Sequence, residues 1–124
     1  MTQPEDHSLQ LVVNLPELLT RVDNDRELLR ELVAIFMVEF PRLLNTLREN
    51  IARRDLKQVE STSHALKGML AGLSAKRAAA TAARLERMGR NGDLSCLTDM
   101  ASVLEREVEE LLPELDSSIM EPNQ

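Results

Sequence analysis

The sequence predicts an all-α fold, an antiparallel up-down-up-down bundle of four long helices with a short extra helix at its N-terminal end. Aromatic residues make up 2% of the 124 residues, and Trp and Tyr are absent. The apolar residues are mostly Leu, Ala, Val and Met, most of which favour helices over strands. They recur three or four positions apart, and Asp, Asn and Gly interrupt the periodic stretches, so we place the bundle at residues 14–116.

The chain begins with a lead at residues 1–13 that we expect to be disordered. Asn14 is a suitable N-cap for a short helix that ends at about Val22. Pro16 stands in the first turn of that helix, where its missing N–H removes no hydrogen bond. His7 lies in the lead, and we expect it to be inert because loose termini rarely hold functional groups.

The first long helix is predicted over residues 26–53, after a turn at residues 23–25 that also supplies its cap. Pro41 removes one hydrogen bond and clashes with the preceding turn. The apolar stripe continues beyond Pro41, which indicates a bend in the helix and not its end. The stripe consists of Leu29, Leu32, Val33, Phe36, Phe40, Leu43, Leu47 and Ile51.

Two further long helices are predicted over residues 55–73 and 75–90. Asp55 caps the first, and Gly92 suits the left-handed position that ends the second. Their apolar positions follow the alternating spacing of a bundle seam. The residues expected to face inward are Leu56, Val59, Ser63, Leu66, Leu70, Leu73, Ala78, Ala82, Leu85 and Gly89.

The last long helix is predicted over residues 94–115. Cys96 falls near its start, where we expect a packing residue, because an unpaired cysteine usually behaves as a small apolar side chain. Pro113 should bend or fray the end of the helix, and residues 117–124 are expected to be a disordered tail. The residues expected to be buried are Leu97, Met100, Leu104, Val108, Leu111 and Leu115.

Composition and charge argue against several classes of function. The net charge is −6, from 21 acidic and 15 basic residues, and such a surface repels nucleic acid and anionic membranes. The single cysteine excludes an internal disulfide and a Cys-rich metal site. No apolar run approaches the ~18 residues of a membrane span, and no signal peptide is recognisable. We therefore expect a cytoplasmic protein.

His64 is the side chain whose neighbours suggest chemistry. It follows Ser63 of the buried seam, so it should flank the core and reach solvent. Positions three and four apart share a helix face. The exposed stripe along this face consists of Glu60, His64, Lys67, Gly68 and Ala71.

This stripe has the groups that a phosphoryl-accepting imidazole needs. The ring must be exposed and neutral, with a cation near the incoming phosphate, and Lys67 would be that cation. Gly68 would leave room for a partner. The remaining ring nitrogen needs an acceptor that holds its proton, and Glu86 on the next helix and Glu60 one turn back are both possible. The distal nitrogen, Nε2, would then be the nucleophile.

Ordinary explanations for the same residues stay open at this point. An exposed histidine with a lysine three positions on is common on helix surfaces. Gly68 costs about 1 kcal/mol relative to alanine in mid-helix, which suggests that something approaches closely, but a tight contact between two helices would explain it equally. A metal site would need several converging ligands, and one histidine with scattered carboxylates does not provide them.

The run His64-Ala65-Leu66-Lys67-Gly68 resembles the hallmark of histidine phosphotransfer (HPt) domains, which is His, any residue, Leu, Lys, Gly. Residues 85–94 look like the next helix and turn of that family, and residues 36–44, with two Phe and a Pro, look like its kinked helix. The resemblance covers about residues 14–115. The chain departs from the family in its bulky Met69 and Leu70 and in Ser74, where a glycine is frequent.

The resemblance implies a phosphorelay intermediate. Such a protein accepts a phosphoryl group on His64 from the aspartyl phosphate of a receiver domain, or from a histidine kinase relay, and passes it to another receiver aspartate. It has no kinase activity and binds no nucleotide, and this chain has no glycine-rich phosphate loop. Response-regulator receivers and a hybrid histidine kinase would be its partners. The chain would hold no cofactor or metal of its own, because the receiver supplies Mg²⁺.

We expect the receiver to dock on a patch around His64, formed by the second and third long helices. Gly68 and Ala71 would lie at its centre, with three lysines near its edge: Lys57, Lys67 and Lys76. The chain is expected to be a monomer that binds neither nucleic acid nor membrane. The alternative is a non-catalytic helical-bundle adaptor that docks a signalling partner without phosphotransfer. Whether the chain is free-standing or part of a hybrid kinase stays open.

Overall fold

The computed structural model describes residues 14–120, and for Leu15 and residues 116–120 it describes the backbone alone. Within this range the chain forms five helices and no strand, which confirms the predicted all-α fold. The lead at residues 1–13, with His7, and residues 121–124 lie outside the described part. The helices are α1 (Leu15–Arg21), α2 (Arg26–Ala52), α3 (Leu56–Gly72), α4 (Lys76–Asn91) and α5 (Leu97–Met120).

Three helices begin at the predicted cap residues, and α4 ends at the predicted glycine. The side chains of Asn14, Asp25 and Asp55 each accept a hydrogen bond from the backbone N–H three residues on, at 3.1, 3.0 and 3.2 Å. Gly92 ends α4 with a φ of 72°, the left-handed conformation that glycine adopts without strain. Short turns separate the long helices, as the sequence predicts, and the turn between α3 and α4 at residues 73–75 is buried.

The four long helices form a closed ring around one core. Each contacts two neighbours: α2 packs on α3 and α5, and α4 packs on α3 and α5. The predicted stripes face inward, and Phe36 stacks on Phe40 with ring centroids 5.4 Å apart. Five residues expected in these stripes are only partly buried and pack against the margin of the core: Leu32, Leu43, Ile51, Leu56 and Met100.

Pro41 lies inside α2, which continues through it as one helix. Leu44 and Leu47 are buried beyond the proline, so packing on both sides holds the helix together despite the missing hydrogen bond. The chain does not reverse at Pro41, as predicted. The bend itself stays a prediction.

The bounds of α5 differ from the prediction at both ends. Asp93 accepts hydrogen bonds from the N–H and hydroxyl of Ser95 at 3.0 and 2.6 Å, which holds a turn and delays the helix to Leu97. Cys96 therefore lies exposed in that turn, and the expectation that it is a packing residue was wrong.

At its other end α5 extends to Met120, so residues 117–120 are helical, not part of a disordered tail. Leu111 and Leu115 are fully buried on either side of Pro113. Pro113 removes one hydrogen bond of the helix and adds one steric clash. The packing of the two leucines stabilises the helix despite this cost. No helix between residues 14 and 120 combines the length and apolar character needed to cross a membrane.

The contact between α3 and α4 is the most extensive between helices in the described part of the chain. Gly89 of α4 lies directly against the backbone of α3. A Cβ atom at this position would be 2.7 Å from the Glu60 nitrogen and 2.9 Å from the Leu56 oxygen. Backbone atoms cannot move aside cheaply, so a glycine is what lets α4 approach this closely. The close approach brings the polar side chains of α4 beside the exposed edge of α3.

Candidate functional site

His64 lies at mid-length on α3, where the buried seam meets the exposed edge. Ser63 and Leu66 are fully buried on either side of it, while the His64 side chain is 68% exposed. The helical period therefore places the imidazole beside the core and in contact with solvent. One side of the ring packs near the neighbouring helix, and the other can be reached from outside.

The near nitrogen of the imidazole contacts α4. His64 Nδ1 lies 2.9 Å from Oε2 of Glu86, a side chain that is only 8% exposed. Of the two acceptors that the sequence left open, the structure places Glu86 on the ring. Glu60 faces Arg90, whose Nε donates to Oε2 of Glu60 at 2.9 Å. The structure therefore does not bring Glu60 to the ring.

Glu86 is the centre of a charged cluster. Lys67 Nζ lies 2.7 Å from its Oε1, and Arg90 Nη2 lies 3.2 Å from its Oε2, the oxygen that also contacts His64. The lysine holds the pKa of the Glu86 carboxyl below its ordinary value, and His64 adds to this effect, while burial acts in the opposite direction. Glu86 is therefore a buried carboxylate surrounded by cationic and polar groups from two helices.

The charge of Glu86 determines which ring nitrogen carries the proton. An ionised carboxylate only accepts hydrogen bonds, so a neutral imidazole in contact with it donates from Nδ1–H. The lone pair of the neutral ring is then on Nε2. Among the described residues, no hydrogen bond to Nε2 is found. This nitrogen therefore keeps a free lone pair, as a nucleophile requires.

Lys67 lies one turn beyond His64 and is 37% exposed. Its ammonium group contacts the opposite oxygen of the carboxylate that His64 contacts. The contact with the buried Glu86 carboxylate thus holds the Lys67 ammonium group beside the imidazole ring. A further anion close to Nε2 would compete with Glu86 for this ammonium group.

The surface beyond the ring is open. Gly68 and Ala71 are exposed, and a Cβ atom added at Gly68 would meet nothing within 4 Å. No contact within the described part of the chain therefore explains the mid-helix glycine at this position. The surface beside His64 therefore has open space at Gly68.

Of the other two lysines expected near the edge of this surface, Lys57 is exposed. Lys76 pairs with Glu17 of α1, with Nζ and Oε1 2.9 Å apart. Lys76, together with Arg21, holds the pKa of Glu17 below its ordinary value. The location of these lysines at the edge of a docking patch stays a prediction.

Arg90 is the residue that sequence reasoning missed. It bridges Glu86 on its own helix to Glu60 on α3, and Glu60 raises the pKa of its guanidinium group. The Glu86–Arg90 spacing of four residues is a recognisable signal for a helical ion pair. The sequence could not show that the same guanidinium group also reaches across to α3.

The described residues offer no evident metal site. Their His, Cys, Asp and Glu side chains form no group of three or more that could hold a metal ion.

The exposed surface near His64 presents one imidazole nitrogen and one ammonium group. A lone pair beside a positive charge suits an anionic group that the imidazole can attack. The arrangement can therefore accept a small anionic group on nitrogen.

A family model, described as the Hpt domain, matches residues 31–117, which is more than half of the chain. The matched range contains both helices of the site and all five of its charged or titratable groups: Glu60, His64, Lys67, Glu86 and Arg90. Neither a curated protein nor a solved structure shows a significant match to the chain.

Proposed function

The chain belongs to the Hpt domain family, which acts in histidine phosphotransfer of two-component signalling, and on that premise we propose that His64 is its phosphorylated residue. His64 would accept a phosphoryl group on Nε2 from an aspartyl phosphate of a receiver domain, or from a histidine kinase relay, and pass it to another receiver aspartate. One observation carries the proposal: the His64 side chain is 68% exposed while its Nδ1 lies 2.9 Å from a buried carboxylate.

In the transfer step, the Nε2 lone pair attacks the phosphorus of the aspartyl phosphate. The N–P bond forms as the P–O bond to the aspartate breaks, and the receiver keeps the carboxylate that leaves. The proton on Nδ1 stays in place, so the ring gains positive charge, and the Glu86 carboxylate 2.9 Å away stabilises it. Transfer to the next receiver is the reverse of this step on a different aspartate.

Lys67 has a second role in this proposal. In the unphosphorylated protein its ammonium group contacts Glu86, and a phosphoryl group on Nε2 offers it a partner of higher charge. As the lysine moves to the phosphoryl oxygens it forms a charge-assisted contact that favours the phosphorylated form. Arg90 remains on Glu86 and keeps the carboxylate under His64.

All of these groups come from one chain, so a single copy would suffice for transfer. We propose that the chain has no kinase activity, and that the Mg²⁺ for the reaction belongs to the acidic site of the receiver. The partners would be response-regulator receivers and a hybrid histidine kinase. We place the protein in the cytoplasm, where a single unpaired cysteine is stable.

The test is transfer of radioactive phosphate from a phosphorylated receiver domain to this chain. The label should be acid-labile and base-stable, as expected for a phosphorus–nitrogen bond. His64→Gln should abolish it with little loss of stability, because exposed residues contribute little to folding. His7→Gln is the matched control and should be labelled like the unchanged chain.

Lys67→Ala should slow the transfer about 10- to 100-fold without abolishing it, since the lysine assists and forms no covalent bond. Incubation with ATP alone should give no label. A chain that binds the receiver but takes no label would instead be the non-catalytic adaptor. Labelling of a folded His64→Gln protein would show that the phosphorylated residue is another one.

A further inference from the structure

The outer face of α2 carries apolar side chains that neither the core nor the phosphotransfer site uses. Three large ones are exposed on this face, Leu28 at 39%, Ile35 at 58% and Val38 at 67%, and Met37, 48% exposed, lies on the flank of the helix. In the described part of the chain, Leu94 is the one other large apolar residue exposed to this degree. Soluble proteins rarely leave such a concentration of apolar surface in water unless it contacts another molecule.

The positions of this face have the spacing of a coiled-coil seam, with apolar residues at three of them and polar or charged residues at the other three. Exposed positions follow one another at alternating separations of three and four residues, the pattern of a and d sites in a heptad repeat. All six residues of this face, named in the next sentence, are exposed, so the face is in contact with solvent along its whole length. We call this surface the α2 outer row, and it consists of Leu28, Glu31, Ile35, Val38, Arg42 and Asn45.

We propose that the α2 outer row is the interface of a homodimer, in which α2 packs antiparallel to α2 of a second copy. A two-fold axis between residues 36 and 37 places Ile35 opposite Val38 of the partner subunit, and Val38 opposite Ile35 of the partner subunit. This register pairs every a site with a d site, as antiparallel helix packing requires. The most exposed apolar residues of the row therefore form the centre of the contact.

The charges of the row identify a second copy as the partner. In the same register, Glu31 lies opposite Arg42 of the partner subunit, and the two-fold axis repeats this pair on the other side. One acidic and one basic residue at equal distances from the axis make the face complementary to itself. A partner of different sequence would need its own matching order of charges, whereas a second copy brings that order with it.

Arg42 can make this contact without disturbing the monomer. Its partner within the chain is Glu39 in the preceding turn of α2, and the Arg42 side chain is still 65% exposed. Such exposed pairs within one helix contribute little to stability. Ala34 and Pro41 are exposed beside the row, and their small side chains let a second helix approach.

The dimer leaves the phosphotransfer site complete in each subunit, because every group of that site lies on α3 or α4. The sequence alone favours a monomer, and a single copy remains the unit of phosphotransfer. The homodimer is independent of that chemistry, so a failure of one proposal does not affect the other.

The first experiment measures the mass of the full chain by sedimentation over a range of concentrations. Wild-type protein should reach twice its 14.0 kDa monomer mass, with a dissociation constant at about the micromolar level. Val38→Glu should shift this constant at least about 100-fold, because a charge would enter the apolar centre. Leu94→Glu is the matched control, since it places the same charge at an exposed leucine outside the row, and it should dimerise normally.

The second experiment tests the register. Glu31→Arg and Arg42→Glu should each be monomeric, because each places like charges opposite one another twice. A mixture of the two variants should form a heterodimer, since opposite charges then meet in both pairs. Circular dichroism of each variant checks that it is folded, and all three positions are exposed.

A chain that stays monomeric up to roughly 0.5 mM would overturn the proposal. A mixture of the charge variants that fails to associate would also overturn it, as would a wild-type dimer that Val38→Glu leaves intact. If the wild type is monomeric and Val38→Glu instead abolishes labelling by a receiver, the row belongs to the receiver interface and not to a second copy.

Discussion

Gly68 and Gly89 lie inside neighbouring helices, and each carries the helix cost of about 1 kcal/mol that glycine has relative to alanine. Their surroundings are opposite. A Cβ atom at Gly68 of α3 would meet nothing within 4 Å, whereas at Gly89 of α4 it would meet backbone atoms of α3 at 2.7 and 2.9 Å. One glycine leaves the outer surface open, and the other closes the contact between the helices.

The two regions make the candidate site together. The closed contact at Gly89 brings Glu86 within 2.9 Å of the imidazole and Arg90 within 2.9 Å of Glu60. The open surface at Gly68 leaves the far side of the ring free. A site that must hold one side of an imidazole and expose the other needs both kinds of helix surface, and a glycine serves each for a different physical reason.

The largest expected effect separates docking from folding. Gly68→Gln adds a long side chain to the open surface and should lower the rate of phosphotransfer from a receiver more than about 100-fold, or about 2.7 kcal/mol. Its free energy of unfolding should stay close to that of the wild type, because nothing inside the protein is displaced. Unchanged receiver binding by the folded variant would show that the docking surface lies elsewhere.

The next effect is a change in stability that has opposite signs when glycine is replaced by alanine at the two positions. Gly89→Ala should destabilise the protein by about 2 kcal/mol, because its Cβ pushes against backbone atoms that cannot move aside cheaply. The matched variant Gly68→Ala should stabilise it by about 0.5–1 kcal/mol, since it meets open space and improves helix propensity. Chemical denaturation of both variants measures the difference. If both variants were destabilised, or both stabilised, the two glycines would not differ in the way proposed here.

The smallest effect is on the pH dependence of stability. It concerns Glu86, which lies between the open surface at Gly68 and the closed contact at Gly89. Its carboxyl has a lowered pKa in the folded protein, chiefly because of Lys67, so the unfolded chain binds its proton more tightly. The stability that this carboxylate adds is therefore present above the unfolded value of about 4.3 and is lost as pH falls through the lower folded value.

Glu86→Gln removes the titrating group and keeps nearly the same shape. The difference in unfolding free energy between wild type and Glu86→Gln should therefore be largest at neutral pH and should shrink as the solution is acidified. Denaturant titrations at a series of pH values measure this. A difference that grows toward acid would mean that burial, and not Lys67, dominates the environment of the carboxyl.

Much of the fold could be predicted from the sequence because it depends on local interactions. Cap residues such as Asp25 and Asp55 act on amide groups three positions away, and the three-to-four spacing defines the buried face of each helix. The prediction was wrong at both ends of α5, once because of a local hydrogen bond and once because of burial in the core. The Asp93–Ser95 turn delays α5, and burial of Leu115 holds it helical beyond Pro113.

The stripe of His64, Lys67 and Gly68 on one edge of α3 was determined by the sequence itself, since residues three and four apart on a helix must share a face. Only the tertiary structure decided that Glu86, and not Glu60, contacts the imidazole, and that Arg90 joins the two helices. These choices depend on the depth and rotation with which α4 packs on α3. That packing depends on the closeness allowed at Gly89, and no periodicity along one helix contains it.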